Sequence, residues 1–191
     1  MILTNGDVLG IDIGNVITEG GNEMFSSQFL SARQMPGAFG AIKKLVTEIF
    51  GPEKVFLVSK CGVKMQDKTR EWLQHHNFYG LTGVKEDHVH FCLERHKKAT
   101  ICQKLRITIF IDDRLEVLGH LTKVDPPKTA LYLFKPREQE VRKYEQFRPP
   151  SDQGRIMGRR VTGNFHVDVA RRPHHLSPPS TLGRFSLSKK D

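Results

Sequence analysis

Four polar signals in this chain stand at the borders of apolar runs. Val8-Leu9-Gly10-Ile11 closes on Asp12, which is followed by Ile13-Gly14-Asn15. A carboxylate before a glycine-containing turn is placed to attack an electrophile or to hold a metal ion, although Asp also ends strands simply to begin turns. Val55-Phe56-Leu57-Val58 closes on Ser59, whose hydroxyl can bond a phosphate oxygen or cap a loop. Ile107-Thr108-Ile109-Phe110-Ile111 closes on Asp112-Asp113. Adjacent acids repel each other unless a cation or arginine is near, which favours magnesium ligation. Fourteen residues before Asp112, Lys98 with Lys97 beside it opens a helical stretch. A lysine there can neutralise a phosphate and the crowded acids, though by itself it reads as a solvated charge.

These residues need elements to position them. Residues 8–12, 55–59, 89–92, 107–111 and 130–134 are five near-continuous apolar runs, as parallel strands covered on both faces require. Ile42, Leu45, Val46, Ile49 and Phe50 recur at helical spacing before Gly51-Pro52 stops the pattern. Further helices are expected near 64–76, 97–105, 114–121 and 137–147. Met65, Thr69, Trp72 and Leu73 read as the buried face of one of them. Strand and helix in alternation predict a doubly wound, Rossmann-like α/β fold with a five-stranded parallel sheet and right-handed crossovers. Ligands of such sheets bind at the carboxyl ends of the strands.

Composition bounds the alternatives. The 191 residues carry a net charge of +9, with 38% hydrophobic and 27% charged residues. That excludes collagen-like and coiled-coil chains. No apolar run reaches the ~18 residues of a membrane span, and the N-terminus lacks signal-peptide features, so a cytoplasmic address is expected and no membrane partner. From Arg148 onward nine Lys/Arg face three Asp, a net +6 that leaves +3 for the preceding residues. The same segment is rich in Pro, Ser and Arg and poor in apolar residues, so 1–147 is read as the folded domain and 148–191 as a largely disordered basic tail, with a short strand at 161–169 as the one candidate element. The tail is either an uninformative extension or an arm for nucleic acid or another acidic partner. Cys61, Cys92 and Cys102 lie far apart and read as reduced thiols. No Cys/His set has zinc spacing, so His75-His76, His88, His90 and His174-His175 read as solvated. Neither a dinucleotide-binding glycine fingerprint nor a P-loop is present.

Strand-Asp, strand-Ser, Lys-helix and strand-Asp-Asp, in that order over about residues 7–135, resemble the haloacid dehalogenase superfamily of phosphohydrolases and phosphotransferases. Met35-Pro36-Gly37-Ala38 before the first long helix is also similar to members of that family. The resemblance implies Asp12 as nucleophile, Ser59 as phosphate-binding hydroxyl, Lys98 (or Lys97) as the lysine, and Mg²⁺ held by Asp12, the Gly14 carbonyl, and Asp112 or Asp113. The chain departs from the family's Asp-x-Asp, because Gly14 stands where phosphatases carry the carboxylate that protonates the leaving group. General acid–base catalysis, typically worth ~10² to 10⁴ in rate, is therefore lost or comes from elsewhere. Glu19 is the one carboxylate close by in sequence. Only 19 residues separate Val16 from Pro36, and 38 separate Ser59 from Lys98, too few for a substantial cap domain. A lidless site suits a bulky phosphoester. Two functions are consistent with this pattern. One is a magnesium-dependent phosphohydrolase or phosphotransferase working through an aspartyl phosphate. The other is a catalytically weak domain that binds phosphate or a macromolecule.

Overall fold

The computed structural model describes residues 3–20, 22–123, 130–135, 138, 139 and 142. Five parallel strands form one sheet: β1 (Leu9–Ile11), β2 (Val55–Lys60), β3 (Val89–Cys92), β4 (Ile109–Asp112) and β5 (Ala130–Leu133). Their order is β3-β2-β1-β4-β5. The chain builds outward from β1 to β3, then crosses back to the other side of β1 for β4 and β5. The topological switch therefore falls between β1 and β4, where Ile11 is in register with both Leu57 and Ile111.

Alternation along the strands divides the core between the two faces of the sheet. Leu9, Ile11, Val55, Leu57 and Ile109 pack with residues of α1 (Ala38–Lys44), α2 (Val63–His75) and α3 (Phe78–Thr82). Val58, Phe110, Leu131 and Leu133 face α4 (Lys97–Lys104) and α5 (Leu115–Leu121). Position 10, between Leu9 and Ile11 of the first face, points to this second face, and it is glycine because the Phe110 ring occupies the Cβ position: an added carbon would lie 2.5 Å from Phe110 Cδ2. A near-continuous apolar run is the sequence's answer to burial on both faces.

The expected strands are all present, shifted by a residue or two at their ends. The apolar pattern at 42–50 is not one uniform helix. It winds as α1 and then as a wider π-type turn over Leu45–Phe50, closed by the Gly51 N–H on Val46 O at 2.9 Å. Gly51 leaves at φ 79, a value open to glycine, and Pro52 begins the next turn. Asn77 at φ 51 separates α2 from α3, a helix the periodicity did not announce. The expected helix at 137–147, the 147/148 domain boundary, the tail and the strand at 161–169 lie largely or wholly outside the described residues. Among the described residues no helix is long and apolar enough to cross a membrane.

Thr69, Trp72 and Leu73 form the buried face expected of α2, and Trp72 Nε1 donates to Ala32 O at 2.8 Å. Met65 departs from that expectation: it is half-buried and lines a cavity. The expectation of solvated histidines fails for three. His76 Nε2 lies 2.9 Å from Leu30 O, and His88 contacts Val55 O through Nδ1 and stacks on Phe56 at 4.2 Å. His90 Nε2 is buried without a partner, and burial lowers the pKa of this ring. None of them belongs to the carboxylate cluster. His174-His175 lies outside the described residues. Cys61, Cys92 and Cys102 are free thiols.

Candidate active site

Parallel neighbours in register deliver their carboxyl ends to the same place. Asp12 follows β1 and continues its ladder, donating its N–H to Ile111 O at 2.9 Å. Asp112 ends β4 and Asp113 follows it. Carboxylate oxygens of Asp12, Asp112 and Asp113 lie within 4.8 Å of one another. Lys98, in the first turn of α4, reaches between them: its Nζ lies 2.8 Å from Asp12 Oδ1 and 2.8 Å from Asp112 Oδ2. The four residues are 6%, 0%, 4% and 2% exposed for Asp12, Asp112, Asp113 and Lys98. Lys97 is exposed, so Lys98 is the lysine of the site.

The charges are unbalanced. Three buried carboxylates face one buried ammonium and the half-buried Arg114, whose Nε is 3.6 Å from Asp113 Oδ2. Burial and then the Asp12 charge push Asp112 up to about 7, against the pull of Lys98. The same two causes raise Asp113 to about 6, opposed by a hydrogen bond from Asn15. Burial draws the Lys98 ammonium down, but Asp12 and Asp112 outweigh it and leave its pKa above the ordinary lysine value. Asp112 Oδ1 accepts the Arg114 N–H at 2.8 Å. Asp12 Oδ1 is buried with Lys98 Nζ 2.8 Å away as its ion-pair partner, outside hydrogen-bond geometry, while the same ammonium donates a hydrogen bond to Asp112 Oδ2.

A hard divalent cation fits this arrangement. Three carboxylates offer oxygen donors, one buried oxygen lacks a directed partner, and the surplus negative charge is uncompensated. Gly14 lines the same cavity.

The cavity is about 510 Å³ and brings together Asp12 and Gly14 after β1, Ser59 of β2, Lys98 in the first turn of α4 and Asp113 after β4. Ser59 is buried on β2. Glu19 also borders the space and is half-buried. A Cβ added at Gly14 would meet nothing within 4 Å.

Sequence reasoning missed Asn15, Arg114 and the apolar wall. Asn15 adopts φ 58, and its Nδ2 donates to Asp113 Oδ2 at 2.7 Å across 98 residues of chain. Its signal was faint: Asn is one of the few side chains that tolerate the left-handed region. Gly20 leaves room for it, since a Cβ there would fall 1.7 Å from Asn15 Oδ1. The wall comes from the turn Glu23–Phe25 and from α2, through Met24, Phe25 and Met65.

The five-stranded parallel sheet is the one expected from the motif order, and Asp12, Ser59, Lys98 and Asp112-Asp113 gather at its carboxyl edge. No protein-family model matches the chain, and no curated protein matches it. Among solved structures it is similar to a protein from Burkholderia xenovorans LB400 provisionally described as a haloacid dehalogenase-like hydrolase. Identity is 17% and the TM-score 0.47, over 69% of this chain and 58% of the other. This chain thus spans little more than half of that protein, and a likeness so distant assigns neither an activity nor a substrate.

Proposed function

We propose that the protein is a magnesium-dependent phosphohydrolase or phosphotransferase acting on a bulky phosphoester. One observation carries this reading: Lys98 is buried between Asp12 and Asp112 at 2.8 Å from each, with Asp113 and Ser59 beside an open cavity. A purely structural ion pair would not need three carboxylates around one ammonium, because uncompensated buried charge is strongly destabilising.

Asp12 is the nucleophile, attacking phosphorus to give an aspartyl phosphate. Lys98 holds the Asp12 carboxylate in place and, with the Ser59 hydroxyl, stabilises charge on the phosphoryl oxygens. Asp12, the Gly14 carbonyl and Asp112 or Asp113 would hold Mg²⁺, which when bound would neutralise charge on the phosphoryl group. Between Asp12 and α1 the described chain has only two single-turn helices, Glu23–Phe25 and Phe29–Ser31. A site without a larger lid suits a substrate bulky enough to cover it.

Beryllofluoride mimics the phosphoryl group on a carboxylate and needs both nucleophile and metal. The wild type should bind it only with Mg²⁺, and Asp12→Asn should not bind it at all. Metal-independent binding, or binding retained by Asp12→Asn, would refute the assignment.

Gly14 favours a second reading, a catalytically weak module that binds phosphate or a nucleic acid, to which the basic 148–191 segment adds affinity. Removal of that segment should then abolish nucleic-acid binding together with its salt dependence.

A further inference from the structure

The cavity has few groups able to hand a proton to a departing oxygen. Among the described residues, besides the acids and lysine of the cluster and three hydroxyls, its titratable side chains are Glu19, Lys60, Cys61 and two arginines, with no histidine or tyrosine. Cys61 is a poor donor because burial, above all, pushes its thiol up to about 11. Lys60 is exposed at the rim, and the Glu19 carboxylate is half-buried on the segment whose backbone bonds Arg33 O. Where a general acid belongs, Gly14 leaves open space.

Part of the cavity lining is apolar. Met24, Phe25 and Met65 border the cavity, and Phe25 is 73% exposed, an aromatic ring offered to solvent beside a polar site. The turn carrying it is tied down, since Ser26 Oγ donates to Glu23 O at 2.8 Å and Lys68 Nζ of α2 donates to Ser26 O at 2.8 Å.

We infer that the site is selective for aryl phosphate monoesters, whose ring packs on Met24, Phe25 and Met65 and whose oxygen leaves without a proton from the protein. This rests on the phosphotransfer reading and adds the substrate class to it. An Asp12 carboxylate oxygen forms a bond to phosphorus as the P–O bond to the aryl oxygen breaks. The electron pair departs with the phenolate, which is stable enough to leave as an anion and takes its proton from solvent. Water then adds to phosphorus, the P–O bond to Asp12 breaks, and inorganic phosphate is released with the water's proton passing to solvent. An alkoxide is far more basic and needs protonation as it leaves, so alkyl esters suffer most from the missing acid. The exposed ring adds stacking, an interaction that aromatic pairs have beyond simple burial.

The test is kcat/KM of the full chain with Mg²⁺ on phenyl phosphates of graded phenol acidity and on alkyl phosphates. The wild type should depend steeply on leaving-group acidity, with aryl esters favoured by about 10² or more. Phe25→Ala should raise KM for aryl esters about 2- to 10-fold while leaving Mg²⁺-dependent beryllofluoride binding intact. A flat dependence, above all one that Glu19→Gln or Lys60→Met makes steep, would show that the protein supplies the proton and would overturn the inference alone. Aryl KM unchanged in Phe25→Ala would overturn the stacking wall and with it the substrate class. If the wild type binds no beryllofluoride and turns over no ester, the phosphotransfer reading and this inference fall together.

Discussion

Lys98→Met removes the only buried cation of the described cluster and tests the electrostatics directly. The side chain volume is kept, so the cost is that of leaving Asp12, Asp112 and Asp113 buried without the ammonium 2.8 Å from two of them. Removing one partner of a buried pair costs about 3–5 kcal/mol. At about 2–4 °C per kcal/mol for a domain of this size, the melting temperature should fall by roughly 6–20 °C at pH 8. The loss has a signature in pH. Asp112 and Asp113 already titrate near 7 and 6, above the ordinary 3.8 of an unfolded chain. Groups raised in this way contribute stability that is fully present below the unfolded value and is lost as pH rises through the folded values. Without Lys98 they move higher still, so the gap between variant and wild type should be widest at pH 8 and should narrow towards pH 5, where both acids are protonated. Mg²⁺ should also narrow it at pH 8, because carboxylates left without the ammonium hold the cation more tightly in the variant than in the wild type, and tighter binding to the folded state adds more stability at a given concentration. Urea unfolding followed by circular dichroism at pH 5, 6, 7 and 8, with and without Mg²⁺, reads all three effects. Lys97→Met, at an exposed position, should stay within about 0.5 kcal/mol. A Lys98→Met loss below about 1 kcal/mol at pH 8, or one unaffected by pH and metal, would refute the charge account.

Mg²⁺ affinity measured by calorimetry should weaken as pH drops from 8 through about 7 and about 6, since the raised acids must ionise to bind, and Asp112→Asn should abolish it. Asn15→Ala should weaken Mg²⁺ about 10- to 100-fold by releasing Asp113 from its 2.7 Å hydrogen bond, and Gly20→Ala should act in the same direction by displacing the Asn15 side chain. Unchanged affinity in both variants would remove Asn15 from any positioning role. Gly14→Asp has open space and no positive φ to resist it. It should raise turnover of alkyl phosphates by up to about 10² and of aryl phosphates less, flattening the leaving-group dependence in steady-state assays.

Much of the architecture is encoded locally. Five apolar runs bounded by turn residues, with helical spacing between them, specify a two-sided parallel sheet because a strand covered on both faces has no polar side to display. The polar residues that end those runs are equally local, and parallel register then carries them to one edge. Asp12, Ser59 and Asp112-Asp113 were therefore visible before any fold. The choice of Lys98 over Lys97 was not, since adjacent helical residues differ by about 100° in direction and only the packed position of α4 tells which one turns inward. Nor was the bond from Asn15 to Asp113, which exists only because β1 and β4 are neighbours across the switch point. The wall of Met24, Phe25 and Met65 has the same origin. Met65 has helical spacing to Thr69 and Trp72 and so reads as core, yet it faces the cavity because the turn at Glu23–Phe25 stands beside the start of α2. Side-chain periodicity records which residues share a face, while what that face meets depends on segments distant in the chain, and that is settled only when they pack.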